Sequence, residues 1–112
     1  MLSHKEVEQY ILSMPNSWLD YPFGEDVAVY KVGPKEKAKM FALIAEKSNP
    51  VNISLKCEPQ LSEVLRKKYA TVMPGYHLNK KHWNTIVVSD KWDVDELKSL
   101  ILHSYNLVSQ SN

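Results

Sequence analysis

The sequence has only one cysteine and three glycines among its 112 residues. Cys57 has no partner for an internal disulfide, and its place in a strand-like pattern predicts a buried thiol that acts as a small hydrophobic group. The few glycines form neither a glycine-rich phosphate loop nor a G-x-S-x-G motif. Both absences argue against nucleotide hydrolysis and serine-hydrolase chemistry.

Long apolar runs are also missing. No segment approaches the roughly 20 apolar residues that span a bilayer, and the polar, acidic stretch from Met1 to Tyr10 does not resemble a signal peptide. We therefore expect a cytoplasmic protein without a membrane partner.

Catalytic and metal-binding patterns are absent as well. The four histidines, which are His4, His77, His82 and His103, show no zinc-ligand spacing with one another or with a second cysteine. Glu25 and Asp26 are adjacent at the start of a predicted strand, so their side chains point to opposite faces and do not form an acid–base pair. We expect no enzymatic activity, no metal site and no cofactor.

The composition is that of an ordinary folded protein. Apolar residues make up 44% of the chain and charged residues 24%, and a chain of this length is close to the commonest domain size. The sequence predicts a single domain over residues 1–112.

Hydrophobic periodicity predicts the element order α-β-β-β-α-β-β-α. Helices at both ends and consecutive strands between them favour an α+β two-layer sandwich over a doubly wound α/β fold. The predicted helices cover about residues 3–13, 59–68 and 94–108, and the predicted strands cover 27–32, 39–46, 51–57, 71–73 and 83–89.

Two segments between these elements carry further predictions. Residues 16–24 contain Pro22 and Gly24 and indicate a loop, which we expect to pack on the core through Trp18, Tyr21 and Phe23. The cluster Arg66-Lys67-Lys68 falls at the end of the second helix, where it complements the helix dipole.

Positive charge is concentrated in the middle of the chain. The formal net charge is only +1, but residues 27–91 carry +7 while residues 1–26 carry −4 and residues 92–112 carry −2. Much of the excess lies at two predicted hairpin tips, one around Lys35, Lys37 and Lys39 and the other around Lys80 and Lys81. The candidate function of the chain is therefore located at these tips.

The second tip combines cations, amides and aromatic rings. Lysine neutralises phosphate, Asn79 can bond a phosphate or an adenine edge, and Tyr76 or Trp83 can stack on an unpaired base. In the alternative interpretation Trp83 and Tyr76 pack on the sheet, while the lysines keep the hairpin tip soluble and protect its edge.

Several ordered blocks of the sequence resemble the MmcQ/YjbR family of small bacterial proteins across nearly the whole chain. The matching stretches are residues 21–32 (YPFGEDVAVYKV), 39–43 (KMFAL), 51–59 (VNISLKCEP), 74–85 (PGYHLNKKHWNT) and 104–108 (SYNLV). The resemblance implies a frataxin-like (CyaY-like) α+β sandwich, in which terminal helices cover one face of an antiparallel sheet.

The resemblance also implies a function. Members are commonly described as DNA-binding proteins with two β-hairpin wings, to which the two basic tips would correspond. The frataxin-like fold suggests iron binding on an acidic first helix, but this helix offers only Glu6 and Glu8.

We therefore predict weak, largely sequence-independent DNA binding through the hairpin wings. The candidate nucleic-acid-binding residues are Lys35, Lys37, Lys39, Tyr76, Asn79, Lys80, Lys81, His82 and Trp83. The alternative is a non-enzymatic module that binds a protein partner or a ligand through the sheet face and the loop with Trp18, Tyr21 and Phe23.

Overall fold

Local sequence signals and tertiary pairing together determine the elements. The computed structural model describes residues 2–75 and 78–109. Within them lie three helices and six strands: α1 His4–Leu12, β1 Ser17–Asp20, β2 Val27–Val32, β3 Lys39–Ala45, β4 Val51–Lys56, α2 Pro59–Lys68, β5 Val72–Pro74, β6 Trp83–Val88 and α3 Val94–Ser109.

Most predicted boundaries are confirmed to within a residue or two. The Ser3 hydroxyl accepts a hydrogen bond from the Glu6 backbone N–H at 3.1 Å, and the Glu6 carboxylate accepts one from the Ser3 N–H. These two hydrogen bonds form the capping box of α1. Pro59 occupies the first turn of α2, and Glu58 caps this helix by accepting from two backbone N–H groups.

The predicted loop over residues 16–24 is wrong in its first half. Ser17–Asp20 forms the edge strand β1, which pairs with β2 in antiparallel register from Ser17 opposite Val32 to Asp20 opposite Val29. The alternation of apolar and polar side chains over these four residues is too short to indicate a strand from the sequence alone. Their extended conformation depends on pairing with β2, which lies further along the chain. The observed order is therefore α-β-β-β-β-α-β-β-α.

The second half of that segment does not pack on the core. Tyr21 is 42% exposed and Phe23 is 62% exposed. The expectation that these two rings pack on the core is wrong, because they lie in a turn after β1 in which the Gly24 N–H donates to the Tyr21 carbonyl at 3.3 Å and Gly24 has a φ of +100°, which suits glycine.

The strands form one antiparallel sheet in the order β1-β2-β3-β4-β6-β5. All three helices pack on the same face of it. Their buried side chains, such as Ile11, Leu65 and Leu97, join strand residues such as Tyr30 and Ile53 in the main core. The predicted two-layer α+β sandwich with helices on one face is confirmed.

The other sheet face has no helix over it among the described residues. A second, smaller cluster lies there, in which Val29, Leu43 and Trp83 are buried and Met40 and Leu78 pack against them. In the described ranges no helix combines the length and the apolar character of a membrane span.

Candidate nucleic-acid interface

Both basic hairpin tips lie at the same end of the sheet. The turn between β2 and β3 begins where Val32 pairs with Lys39, and β6 begins where Trp83 pairs with Lys56 at the end of β4. Antiparallel pairing of β3 with β4 and of β4 with β6 places these ends together. We call this end the basic edge, and we define it by the lysines Lys35, Lys37, Lys39, Lys56, Lys80 and Lys81.

The first tip is a tight turn with exposed lysines. Gly33 has a φ of +106°, its N–H donates to the Asn16 carbonyl at 3.1 Å, and the Lys37 N–H donates to the Pro34 carbonyl at 2.9 Å. The side chains of Lys35, Lys37 and Lys39 are exposed, as is that of Glu36 between them. The structure thus places all three predicted lysines at the surface of one edge.

Asn79 organises the second tip. Its backbone carbonyl accepts from the N–H groups of His82 and Trp83 at 3.1 and 3.0 Å, and its side-chain Oδ1 accepts from the Lys81 N–H at 3.0 Å. These bonds hold a turn in which Lys80 and Lys81 are exposed and His82 is half-buried. Tyr76 and its predicted stacking role lie outside the described residues.

Trp83 has a packing role. Its side chain is 8% exposed and joins Val29 and Leu43 in the cluster on the open face of the sheet. A ring this deeply buried has no free face for a base in this conformation, so the stacking role suggested by the sequence does not apply to it. The alternative interpretation, in which Trp83 packs on the sheet, describes its position.

Arg66 holds the second tip, a role that sequence reasoning missed. Its Nε donates to the Asn84 side-chain oxygen at 2.7 Å, and its Nη2 donates to the backbone carbonyls of Lys80 at 2.5 Å and Trp83 at 3.2 Å. The earlier interpretation of Arg66 as a helix-dipole complement is therefore incomplete. No local pattern indicates this role, because the acceptors lie 14 to 18 residues further along the chain.

Lys56 is the second residue that sequence reasoning missed. It ends β4, which lies between β3 and β6 in the sheet order, and so stands between the two tips. The alternation of β4 puts Lys56 on the open face, where its side chain is partly exposed. Lys56 can be assigned to the basic edge only when the strand order is known, and that order cannot be derived from the sequence.

A different tryptophan lies beside the first tip. Trp18 is half-buried, and its Nε1 donates to the Gly33 carbonyl at 3.0 Å. The Lys31 ammonium is 5.5 Å from the centre of the Trp18 ring and 3.0 Å from the Asp20 carboxylate. The hydrogen bond from Lys31 is the main cause that lowers the pKa of Asp20, so this acid stays ionised and paired with Lys31.

Acidic side chains at this edge are few. Glu36 is exposed within the first tip, and the Glu58 carboxylate accepts the Gln60 and Leu61 backbone N–H groups at the start of α2. The Glu58 carboxylate is thus already used at the helix terminus, where it neutralises the positive end of the dipole. The lysines of the basic edge therefore outnumber the acidic side chains of the two tips and of the end of β4, among which only Glu36 lies within a tip.

The described part of the chain contains no group of three or more histidine, cysteine or acidic residues arranged to hold a metal ion. Cys57 is buried, and burial raises the pKa of its thiol, which keeps this thiol protonated and unreactive at neutral pH.

Known sequences similar to this chain come from several bacteria. The YjbR family profile matches residues 12–107. YbdF, an uncharacterised protein of Escherichia coli O157:H7, is 35% identical over 105 residues, which cover 94% of this chain and 83% of YbdF. YjbR of Escherichia coli K12, also uncharacterised, is 36% identical over 66 residues that cover 59% of this chain and 56% of YjbR.

Solved structures share the fold along nearly the whole chain. The crystal structure of the Deinococcus radiodurans protein DR2400, which has a DUF419 domain, matches with a TM-score of 0.94 and 34% identity, over 99% of this chain and 81% of that one. The crystal structure of a Pseudomonas syringae protein matches with a TM-score of 0.78 and 29% identity, over 95% and 98% of the two chains.

Proposed function

The chain belongs to the YjbR family, and from this premise we propose that it binds nucleic acid through the phosphate contacts of its basic edge. The observation that carries the proposal is the sheet order. It brings the β2–β3 tip and the β5–β6 tip to one end and places Lys56 between them. Lysines that are distant in sequence thereby form one strip of positive charge, which suits a chain of phosphates.

The spacing of the strip suits a polyanion rather than a single anion. The centres of the two hairpins are three strand spacings apart, which is roughly 14 Å. A free phosphate or a small carboxylate cannot contact both tips at that separation. Successive phosphates of a nucleic acid can, and each neutralised phosphate releases counterions.

The contacts are expected to be largely independent of base sequence. Guanine is most often recognised by a bidentate arginine. The single arginine of this chain is Arg66, and its guanidinium already donates hydrogen bonds to Asn84, Lys80 and Trp83. Lysine side chains contact phosphates as flexible point charges and carry little sequence information.

Salt-dependent binding of fluorescent oligonucleotides tests the proposal. We expect log affinity to fall linearly with log salt, with a slope of about −0.9 per contacted phosphate on duplexes and about −0.7 on single strands. Lys35→Ala and Lys80→Ala should each make the slope shallower. The matched control is Lys47→Ala, because Lys47 is exposed just after β3, at the opposite end of the sheet.

Two results would contradict the proposal. The first is unchanged anisotropy of both oligonucleotides at low salt. The second is an equal loss of affinity in Lys47→Ala and Lys80→Ala, which would mean that net charge matters and the basic edge does not.

One observation favours a second candidate function, which is binding of a protein partner. Phe23 and Tyr21 expose their rings in the segment after β1, at the sheet end opposite the basic edge. Exposed aromatic rings are typical anchors of protein interfaces. Because the two sites lie at opposite ends, Phe23→Ala should leave oligonucleotide binding unchanged while weakening a protein complex.

A further inference from the structure

The cleft beside the first tip has the features of a site for an unpaired base. It is lined by Asn16, Ser17, Trp18, Gly33 and Pro34, is open to solvent, and has a volume of about 470 Å³. Ligand sites in proteins commonly have volumes of roughly 300–1,000 Å³. Its walls combine a flat aromatic ring and a proline with the polar residues Asn16 and Ser17.

The ring in this cleft is held in place before any ligand arrives. The Trp18 Nε1 donates to the Gly33 carbonyl, and the Gly33 N–H donates to the Asn16 carbonyl, so three wall residues are linked by hydrogen bonds. Asn16 has a φ of +62°, in the left-handed region that asparagine tolerates better than most residues. A fixed ring loses little conformational entropy when a base stacks on it.

Positive charge flanks the same cleft. The Lys31 ammonium lies 5.5 Å from the centre of the Trp18 ring, and Lys35 follows the wall residue Pro34 directly in the chain. Asp20 is the opposing charge, and its carboxylate is paired with Lys31 at 3.0 Å. Lys35 is thus well placed for the phosphate of a nucleotide whose base enters the cleft.

We propose that the cleft binds a nucleobase of a single strand, stacked on Trp18, while the phosphates follow the basic edge. This inference rests on the proposed function and names its preferred ligand as single-stranded nucleic acid. A duplex keeps its bases stacked internally and cannot supply one without unpairing. Trp18 thereby takes the stacking role that buried Trp83 cannot perform.

Two oligonucleotides of equal length, an oligothymidylate and its abasic counterpart, separate base contacts from phosphate contacts. Stacking of one base on an aromatic ring is worth about 1–3 kcal/mol, so the oligothymidylate should bind about 5- to 150-fold more tightly. In Trp18→Leu this preference should disappear while abasic affinity stays the same. Trp18→Phe keeps an aromatic face and should retain part of the preference for the oligothymidylate. It is the control for misfolding of the leucine variant.

The indole N–H resonance of Trp18 gives a second, local readout in nitrogen–proton correlation spectra. We expect it to shift with the oligothymidylate and to stay in place with the abasic strand or with a duplex. Equal affinity for the two strands together with an unmoved Trp18 resonance would overturn the base site and leave phosphate binding by the basic edge intact. Absence of binding to either strand at low salt would overturn the proposed function itself.

Discussion

The guanidinium of Arg66 donates to the backbone carbonyl of Lys80 at 2.5 Å, which ties helix α2 to the tip that carries two lysines of the basic edge. The same side chain also bonds Asn84 and the Trp83 carbonyl. A turn in solvent is thereby anchored to a half-buried cation from a different element. The position of the candidate phosphate contacts depends on this anchor.

Replacing Arg66 with lysine should loosen the second tip. One ammonium cannot reproduce the planar fork that reaches three acceptors, and the buried Asn84 side chain would lose its partner. We expect Arg66→Lys to lower the free energy of unfolding by about 1–3 kcal/mol in urea titrations. Lys67→Ala is the control, because Lys67 is an exposed neighbour on the same helix and should cost under about 0.5 kcal/mol. Equal losses in the two variants would contradict the anchoring role.

Truncating Trp83 should affect stability far more than it affects binding. Its indole packs against Val29 and Leu43 on the open face. In denaturant titrations Trp83→Ala should therefore lower the free energy of unfolding by about 3–5 kcal/mol. Trp83→Phe should lower it clearly less. Met73→Ala serves as the control, because Met73 is 42% exposed on the edge strand β5 and should cost under about 1 kcal/mol. If folded Trp83→Phe lost the preference for the oligothymidylate, then Trp83 would contact bases after all.

The elements that could be predicted are those whose signals are local. The alternation of Val51, Ile53 and Leu55 indicates a strand with one buried face, and Pro59 followed by a helical stripe indicates the start of α2. These patterns depend on the 2.0 and 3.6 periods of the backbone itself. The family resemblance adds the arrangement of helices on one face.

What could not be predicted depends on contacts between distant segments. β1 is extended because β2 lies beside it, and Lys56 joins the basic edge because β4 lies between two hairpins. Arg66 and Lys68 share the same helix end and look equivalent in the sequence. Only the tertiary structure shows that Arg66 reaches the second tip whereas the Lys68 ammonium lies over the neighbouring Tyr69 ring.

Tyr30 should make the protein sensitive to alkaline pH. Its ring is fully buried, and its hydroxyl donates to the Glu8 carboxylate at 2.5 Å. Burial first, and Glu8 second, raise the pKa of Tyr30 far above its ordinary value of 10.0. The folded chain therefore keeps the proton, and the stabilisation is complete below pH 10.0 and is lost at higher pH, where the tyrosine of the unfolded chain ionises.

The corresponding measurement compares the wild type with Tyr30→Phe in urea titrations across the alkaline range. We expect the free energy of unfolding of the wild type to fall more steeply with pH above about 10 than that of the variant. Near neutral pH the free energies of unfolding of the wild type and of Tyr30→Phe should change with pH in the same way. They should differ by a constant amount that reflects the lost hydrogen bond to Glu8. Identical slopes throughout would mean that Tyr30 ionises as readily in the folded chain as in the unfolded one.

Lys56 tests whether the basic edge acts as one strip. The residue stands between the two tips, yet it belongs to neither turn, so a chain that used each tip separately would not need it. If phosphates follow the whole edge, Lys56→Ala should make the salt slope shallower by about 0.7 on single strands, the value for one lost phosphate contact. Lys91→Ala, an exposed lysine between β6 and α3 at the opposite end of the sheet, should leave the slope unchanged. Equal slopes for wild type and Lys56→Ala would restrict the contacts to the two tips alone.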